Sequence, residues 1–250
     1  MSLSSTVLSV HDQIASQLRA DVRSGVYQPG DRIREGEIAE RFGVSRSPVR
    51  QVLQELTREG LLYARPNCGT VVADAPSKEV MQVLRRCRAE LECIALRQCF
   101  DELDEADFRE WERIMETLYN ACDREDYIHA YYQDSLFHAL IMEKAAPAGS
   151  RGVYGVINNA TAEYVSVDCN RPYHSDFREV YAMHASLFAI YRMGDLELAC
   201  EALYQHILRE PFVQDSYQCW MEAGKPRKSY EIYEPLAKNL RKAINRTQKK

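Results

Sequence analysis

The feature that most constrains the fold is a pair of short helices separated by Gly43. The pattern of residues 35–42 predicts a short helix, and Gly43 is placed to end it in the left-handed conformation. Ser45 is a favourable N-cap for a further helix, and Pro48 falls in its first turn, where proline is tolerated. The spacing therefore predicts two helices joined by a tight turn.

The flanking segments extend this pattern into a small domain. Apolar residues recur at helical spacing over 7–24, and Gly25 ends that segment. The helix after Ser45 runs to Gly60, and residues 61–72 then form two strand-like runs around a Pro-Asn turn. Helix, short helix, turn, helix and hairpin together predict a winged helix-turn-helix.

The start of the third helix has the chemistry of a DNA contact. Arg46 and Arg50 are four residues apart and share a helical face, where a guanidinium can bind phosphate or guanine. Ser45, Ser47 and the helix N-terminal amides suit phosphate oxygens. Residues 41–65 carry five Arg and two Glu in a chain of net charge −5. The alternative interpretation is an ordinary helical hairpin with exposed arginines.

The remainder of the chain is predicted to be helical and acidic. A linker at 75–77 separates a winged helix-turn-helix domain, 1–75, from an all-α domain, 76–224, with a net charge of −12. The all-α domain is expected to form a bundle of six or seven helices around a central cavity. The predicted helices are 78–100, 104–122, 126–145, 150–168, 175–193 and 195–210.

Residues 225–250 form a separate tail with nine Lys and Arg against two Glu. Tyr233, Leu236, Leu240 and Ile244 share one face if the tail is helical. Two interpretations stay open: a helix packed on the bundle, or an arm that contacts DNA phosphates.

Four residues of the all-α domain have metal-ligand chemistry. Asp134 and His138 are four residues apart on one predicted helix, and His184 and His206 lie in two further apolar segments. Polar groups on apolar faces cost free energy unless they are paired or metal-bound. One carboxylate and three imidazoles suit zinc, nickel or iron. The competing interpretation is that each histidine is an ordinary core or surface residue, and His174 is a possible alternative ligand.

A family resemblance covers residues 12–73. It rests on Pro29-Gly30-Asp31-Arg32-Ile33, Glu35-Gly36-Glu37-Ile38-Ala39, Gly43-Val44-Ser45-Arg46-Ser47-Pro48-Val49-Arg50, Leu53, Leu56, Gly60-Leu61 and Gly69. This pattern resembles the GntR family of bacterial transcription regulators. The resemblance implies DNA contacts by the third helix and the wing. The residues concerned are Ser45, Arg46, Ser47, Arg50, Arg65, Asn67 and Gly69. Where the family often has a DNA-contacting arginine this chain has Gly36, and Arg34 takes part of that role.

The all-α domain resembles the FadR-type C-terminal ligand domain (FCD) of the same family. The matching patterns are Arg88-x-x-Leu91-Glu92-x-x-Ala95, Asp134-x-x-Phe137-His138-x-x-Ile141, and His184-x-x-Leu187-x-x-Ile190-x-x-x-Gly194-Asp195-x-x-x-Ala199 with His206. The resemblance implies that Asp134, His138, His184 and His206 hold a divalent cation, with zinc or nickel expected. It also implies that Arg88 binds an anionic effector. The alternative for Arg88 is a surface ion pair with Glu92 at i+4.

Composition excludes several other classes of protein. Hydrophobic residues make up 46% and charged residues 28%, which excludes disordered chains and coiled-coil rods. No apolar run is long enough for a membrane span, and no signal peptide is expected at the N-terminus. The eight cysteines contain no Cys-x-x-Cys pair and are expected to be reduced. These features predict a cytoplasmic protein.

The prediction is thus a mainly α, homodimeric repressor of transcription. It binds operator DNA, and its helical domain binds a divalent metal and a small carboxylate effector. Two alternatives stay open: a metal-responsive repressor without an organic effector, and a metal-dependent enzyme acting on a small carboxylic acid. The enzyme is disfavoured because the sequence has no His-Glu-x-x-His motif and no obvious general base beside the ligands.

Overall fold

The structure of the chain is a computed structural model. It describes residues 9–23, 25–66, 68–145, 149–161, 178–208, 212–224 and 230–247. The described residues belong to two compact units. The first is drawn from Met1–Met81 and Gly155–Pro172, and the second from Gln82–Tyr154 and Tyr173–Lys250. The predicted domain boundaries near 75 and 224 stay predictions.

The first unit contains a winged helix-turn-helix. Its helices are α1 (Val10–Arg23), α2 (Glu35–Phe42) and α3 (Arg46–Arg58). Its strands are β1 (Arg32–Ile33), β2 (Leu62–Arg65) and β3 (Gly69–Val72), which form an antiparallel sheet in the order β1-β3-β2. The predicted helices and hairpin are confirmed, whereas β1 was not predicted.

Apolar faces of the three helices meet in one small core. Ile14 and Leu18 on α1 contact the buried face of α3, which presents Val49, Val52 and Leu56. These residues recur every three or four positions, so each helix turns a single stripe inward and leaves its other faces to solvent. The core thereby fixes α3 with its opposite face exposed.

The second unit is built from helices. The ranges are α4 (Lys78–Cys99), α5 (Glu105–Asp123), α6 (Tyr127–Ala145), α7 (Ser150–Thr161), α8 (Arg178–Arg192), α9 (Leu196–Leu208), α10 (Phe212–Glu222) and α11 (Glu234–Thr247). Helices α4 and α7 extend past the limits of this unit. None of the helices within the described ranges has the length and apolar character needed to cross a membrane.

Helix α8 lies at the centre of this unit. Every residue from Tyr181 to Tyr191 is buried, as expected for a helix surrounded by others. Trp111 on α5 packs against Phe137 and Tyr191, and its indole N–H donates to the carbonyl of Phe137 at 3.1 Å. This packing places the polar residues of α6 and α8 deep in an apolar surrounding.

The C-terminal part of the chain contains one helix that was predicted and one that was not. Helix α11 packs on the bundle through Leu236 and Leu240, and Tyr233, just before its first residue, is also buried, in line with the packed-helix interpretation of the tail. Helix α10 is a seventh helix of the predicted all-α domain, beyond the six predicted ranges. The sequence prediction places Pro211 at or beyond the end of the last predicted helix, and Pro211 lies outside the described residues.

Candidate nucleic-acid interface and candidate metal centre

Gly43 forms the turn that positions α3. Its φ is 64°, and its backbone N–H donates to carbonyls of α2. Most residues with a Cβ lose about 1–2 kcal/mol in this left-handed conformation, so glycine is favoured here. Ser45 then begins α3 in an extended conformation, and its hydroxyl makes no capping hydrogen bond. The side chain of Ser45 is exposed at the helix N-terminus.

The first turn of α3 presents the predicted DNA-contacting side chains to solvent. Ser45, Arg46, Ser47 and Arg50 are all exposed, whereas Val49 on the opposite face is fully buried. The structure therefore brings these four residues onto one open surface. Hydroxyls, a helix N-terminus and two guanidinium groups together make a surface suited to the phosphates and base edges of DNA.

Arg50 pairs with a carboxylate of α2. Its Nε and Nη2 each donate to an oxygen of Glu35 at 2.9 Å, and these hydrogen bonds lower the pKa of Glu35. The pair is exposed, so it contributes little to folding stability. A guanidinium that donates two parallel hydrogen bonds to a carboxylate can donate the same pair of hydrogen bonds to phosphate or guanine.

Gly36 lies beneath the guanidinium of Arg46. A Cβ at this position would lie 3.5 Å from Nη2 of Arg46, so Arg46 extends over the surface that a larger residue would cover. Arg34, predicted to take part of the DNA contact, donates to Glu37 at 2.5 Å and is exposed. Both arginines thus lie near the start of α2.

The wing has one basic residue that the sequence prediction missed. Arg65 on β2 lies opposite Gly69 on β3 within the hairpin. The side chain of Arg32 also lies over Gly69, because a Cβ there would meet its Nε at 3.6 Å. Arg32 was missed because the two-residue strand β1 has no detectable sequence period. Asn67, predicted as a wing contact, lies outside the described residues.

The four predicted metal ligands meet in the second unit. Helix α6 supplies Asp134 and His138, α8 supplies His184, and α9 supplies His206. One potential ligand atom from each residue lies within 4.8 Å of the others. The three histidines are buried and Asp134 is partly buried. Helical spacing on α6 and the central position of α8 produce this convergence.

Hydrogen bonds orient two of the imidazole rings. Nδ1 of His138 lies 2.7 Å from Oε2 of Glu92, and Nδ1 of His184 lies 2.7 Å from the carbonyl oxygen of Val180. Because an ionised carboxylate and a carbonyl only accept, each Nδ1 is the donor. Whenever the ring is neutral, its Nε2 is therefore a bare acceptor. Metal-binding histidines are oriented by the same kind of outer hydrogen bond.

These bare acceptors lie close to other acceptors. Nε2 of His184 is 2.9 Å from Oδ1 of Asp134, and Nε2 of His138 is 3.2 Å from Nε2 of His206. Such contacts need a shared proton or a cation between the atoms. Tetrahedral zinc bonds of about 2.0–2.2 Å to nitrogen and oxygen place ligand atoms about 3.4 Å apart, so the widest-spaced of these atoms, up to 4.8 Å apart here, would have to approach each other by about 1 Å or slightly more. The residues therefore fit a divalent ion.

Electrostatics leave the cluster ready to bind a cation. Burial lowers the pKa of His138, and burial together with the neighbouring histidines holds the pKa of His206 well below its usual range. Burial alone would raise the pKa of Asp134, but His184, His138 and Arg88 outweigh it and hold that pKa below its usual range. At neutral pH Asp134 is therefore a carboxylate, and His138 and His206 present neutral imidazole nitrogens.

Glu92 connects the cluster to Arg88. Its fully buried carboxylate accepts from Nε of Arg88 at 2.7 Å, from the hydroxyl of Tyr154 at 3.0 Å, and from His138. Burial opposes ionisation, yet His138 and Arg88 lower the pKa of Glu92 to about 2. The ion pair weighed as an alternative for Arg88 is present, but it is buried. The contributions of Glu92 and Tyr154 to the site were missed.

Arg88 keeps part of its guanidinium available. Its Nη2 is buried and has no hydrogen-bond partner among the residues that the structure describes. An unsatisfied buried donor on a cation is costly, so an anion that accepted from Nη2 would be favoured. His174, the alternative ligand, lies outside the described ranges, and His129 pairs with Asp126 at the surface.

A winged helix with exposed arginines, together with a helical unit enclosing a polar cluster, defines a DNA-binding transcription regulator. The chain belongs to the GntR family. Residues 10–72 match the family described as "Bacterial regulatory proteins, gntR family", and residues 83–209 match the FCD domain. These domains are those of transcription regulators of a repressor family, not of enzymes.

Similar proteins agree with this assignment. The chain is 27% identical to the HTH-type transcriptional repressor RspR of Escherichia coli K12, over 79% of this chain and 86% of RspR. It is 26% identical to the HTH-type regulator YdhC of Bacillus subtilis, over 79% of this chain and 92% of YdhC. The solved structure of E. coli McbR/YncC shares the fold with a TM-score of 0.64, at 21% identity over 86% of this chain and all of that one.

Proposed function

We propose that this regulator senses a small carboxylate at a divalent metal site, and that the carboxylate weakens its binding to operator DNA. Asp134, His138, His184 and His206 would hold the ion, with zinc or nickel best matched to three imidazoles and one carboxylate. A bound ion supplies positive charge and open coordination positions for carboxylate oxygens.

The proposal is carried by two neighbouring features of the helical unit. Buried acceptor atoms of the cluster face one another, and the nearby guanidinium of Arg88 has one N–H group without a hydrogen-bond partner among the described residues. Nε2 of His184 and Oδ1 of Asp134 face each other at 2.9 Å, which calls for positive charge between them. Nη2 of Arg88, linked to His138 through Glu92, lacks a partner among the described residues. A carboxylate would satisfy Nη2 and the ion at once.

The operator side of the proposal rests on α3 and the wing. Arg46, Arg50, Ser45 and Ser47 would contact the major groove, and the wing residues would contact the adjacent backbone. One recognition helix reads few bases, so we propose a cytoplasmic homodimer that reads paired half-sites. Val83 and Ile94 on α4 leave an apolar face exposed that suits self-association.

The test uses an operator duplex selected from a random pool by the purified protein. A palindromic selected site is expected for a dimer. Mobility-shift titrations of zinc-loaded and nickel-loaded protein then include acetate, L-lactate or L-malate. We expect one of these carboxylates to weaken operator binding by about 5- to 150-fold, the usual range of coupling between sites. The Arg88→Ala variant should keep operator affinity and lose this response.

The control variant is Arg86→Ala, which removes an exposed arginine from the same helix. It should respond like the wild type. Tighter operator binding in the presence of the carboxylate would contradict the proposal that the effector weakens operator binding. Operator affinity that follows metal concentration alone, with no effect of any carboxylate, would instead identify a metal-responsive repressor.

A further inference from the structure

Two thiols lie side by side in the helical unit, away from the candidate metal ligands. Cys93 on α4 donates from its Sγ to the carbonyl oxygen of Cys200 on α9 at 3.5 Å. Each residue is 3% exposed. These cysteines are 107 positions apart in the sequence, so only the fold brings them together.

A surface cleft leads to this pair of thiols. Its volume is about 130 Å³, and both cysteines line it together with Arg97 and Tyr204. That volume accommodates a small reagent such as a peroxide, since one water occupies about 30 Å³ in the liquid. The thiols are therefore buried from bulk solvent but accessible to small molecules.

The two thiols differ in chemical character. The neighbouring thiol of Cys93 and the charge of Arg97 lower the pKa of Cys200, against the opposing effects of burial and of Glu197. The neighbouring thiol of Cys200, together with burial, raises the pKa of Cys93. Cys200 is thus the better nucleophile, and Cys93 is the adjacent thiol that can resolve an oxidised sulfur.

We propose that Cys93 and Cys200 form an oxidant-sensitive dithiol, which a small peroxide converts into a disulfide joining α4 to α9. The sulfur of Cys200 attacks one peroxide oxygen, the O–O bond breaks, and an alcohol or water leaves with the thiol proton. The sulfur of Cys93 then attacks the resulting sulfenic acid, the S–O bond breaks, and water leaves. The two sulfurs lose two electrons, and the peroxide gains them.

This modification does not depend on metal or carboxylate binding. It would nevertheless act on the same helices, because α4 carries Arg88 and Glu92, and α9 carries His206. A covalent bond between these helices restricts their relative movement.

The test uses the full chain with Cys87→Ser, which removes an exposed thiol that could cross-link two molecules. The protein is treated with hydrogen peroxide, alkylated under denaturing conditions, digested and examined by mass spectrometry. We expect a peptide pair that joins Cys93 to Cys200, is lighter by two hydrogens than the sum of the free peptides, and disappears on reduction with dithiothreitol.

Two kinds of variant provide the controls. Cys93→Ser and Cys200→Ser should each abolish the cross-link, whereas Cys99→Ser, which removes another buried thiol of α4, should preserve it. The proposal is wrong if peroxide leaves both thiols alkylatable, oxidises each separately to sulfinic acid, or joins either one to Cys99. Peroxide treatment of the Cys87→Ser protein alone decides between these outcomes, even if one of the further variants folds poorly.

Discussion

Replacing Glu92 by Gln should lower the free energy of unfolding of the metal-free helical unit by about 3–5 kcal/mol, the usual cost of breaking a buried ion pair. The carboxylate is fully buried and accepts hydrogen bonds from Arg88, His138 and Tyr154. An amide has one accepting oxygen, and its NH₂ group would face donors. Arg88 would then be left without its buried counter-charge.

Urea denaturation followed by tryptophan fluorescence measures this effect in the relevant unit. The chain has two tryptophans, Trp111 and Trp220, and both are buried in the helical unit. The matched control is Glu90→Gln, an exposed carboxylate on the same helix, which should change stability by less than about 0.5 kcal/mol. Equal stabilities for the two variants would show that Glu92 does not hold the buried network together.

Removing Arg46 and Arg50, the two exposed arginines at the start of α3, should weaken operator binding by a hundredfold or more. Each well-made contact of this type contributes about 1–3 kcal/mol, and about 1.4 kcal/mol corresponds to a factor of ten. Arg46 and Arg50 make no buried contact, and the pair between Arg50 and Glu35 is exposed. The Arg46→Ala/Arg50→Ala variant should therefore fold with nearly unchanged stability.

The comparison for this variant is Arg58→Ala, which removes an exposed arginine from the last turn of α3. Arg58 lies about three helical turns after Arg46 along α3, at 1.5 Å of rise per residue. Mobility shifts on the selected duplex should show a small loss for Arg58→Ala. A comparable loss for both variants would indicate general charge attraction instead of contacts by the first turn.

Local signals in the sequence predicted the parts of the fold that depend on short-range geometry. Gly43 requires a left-handed turn, Ser45 begins α3, and the spacing of Asp134 and His138 places both on one face of α6. These features follow from backbone angles and the helical period, so no tertiary information is needed. The family resemblance then indicated which other histidines join them.

Features that depend on tertiary packing could not be predicted in this way. The burial of Glu92 follows from helices packing around α4, while its spacing from Arg88 is equally compatible with a surface ion pair. Tyr154 and Cys200 reach their partners across the bundle, and β1 exists because β3 pairs with it. Such contacts are set by chain segments far apart in sequence.

The most direct test of the central claim is the metal content of purified protein after incubation with zinc or nickel and removal of free ion. Elemental analysis should find one divalent ion per chain in the wild type and none in the His138→Ala/His184→Ala variant. His129→Ala, which removes an exposed histidine paired with Asp126, should retain the ion. Equal metal content in the wild type and the double variant, or none in the wild type, would contradict a metal site built from Asp134 and the three buried histidines.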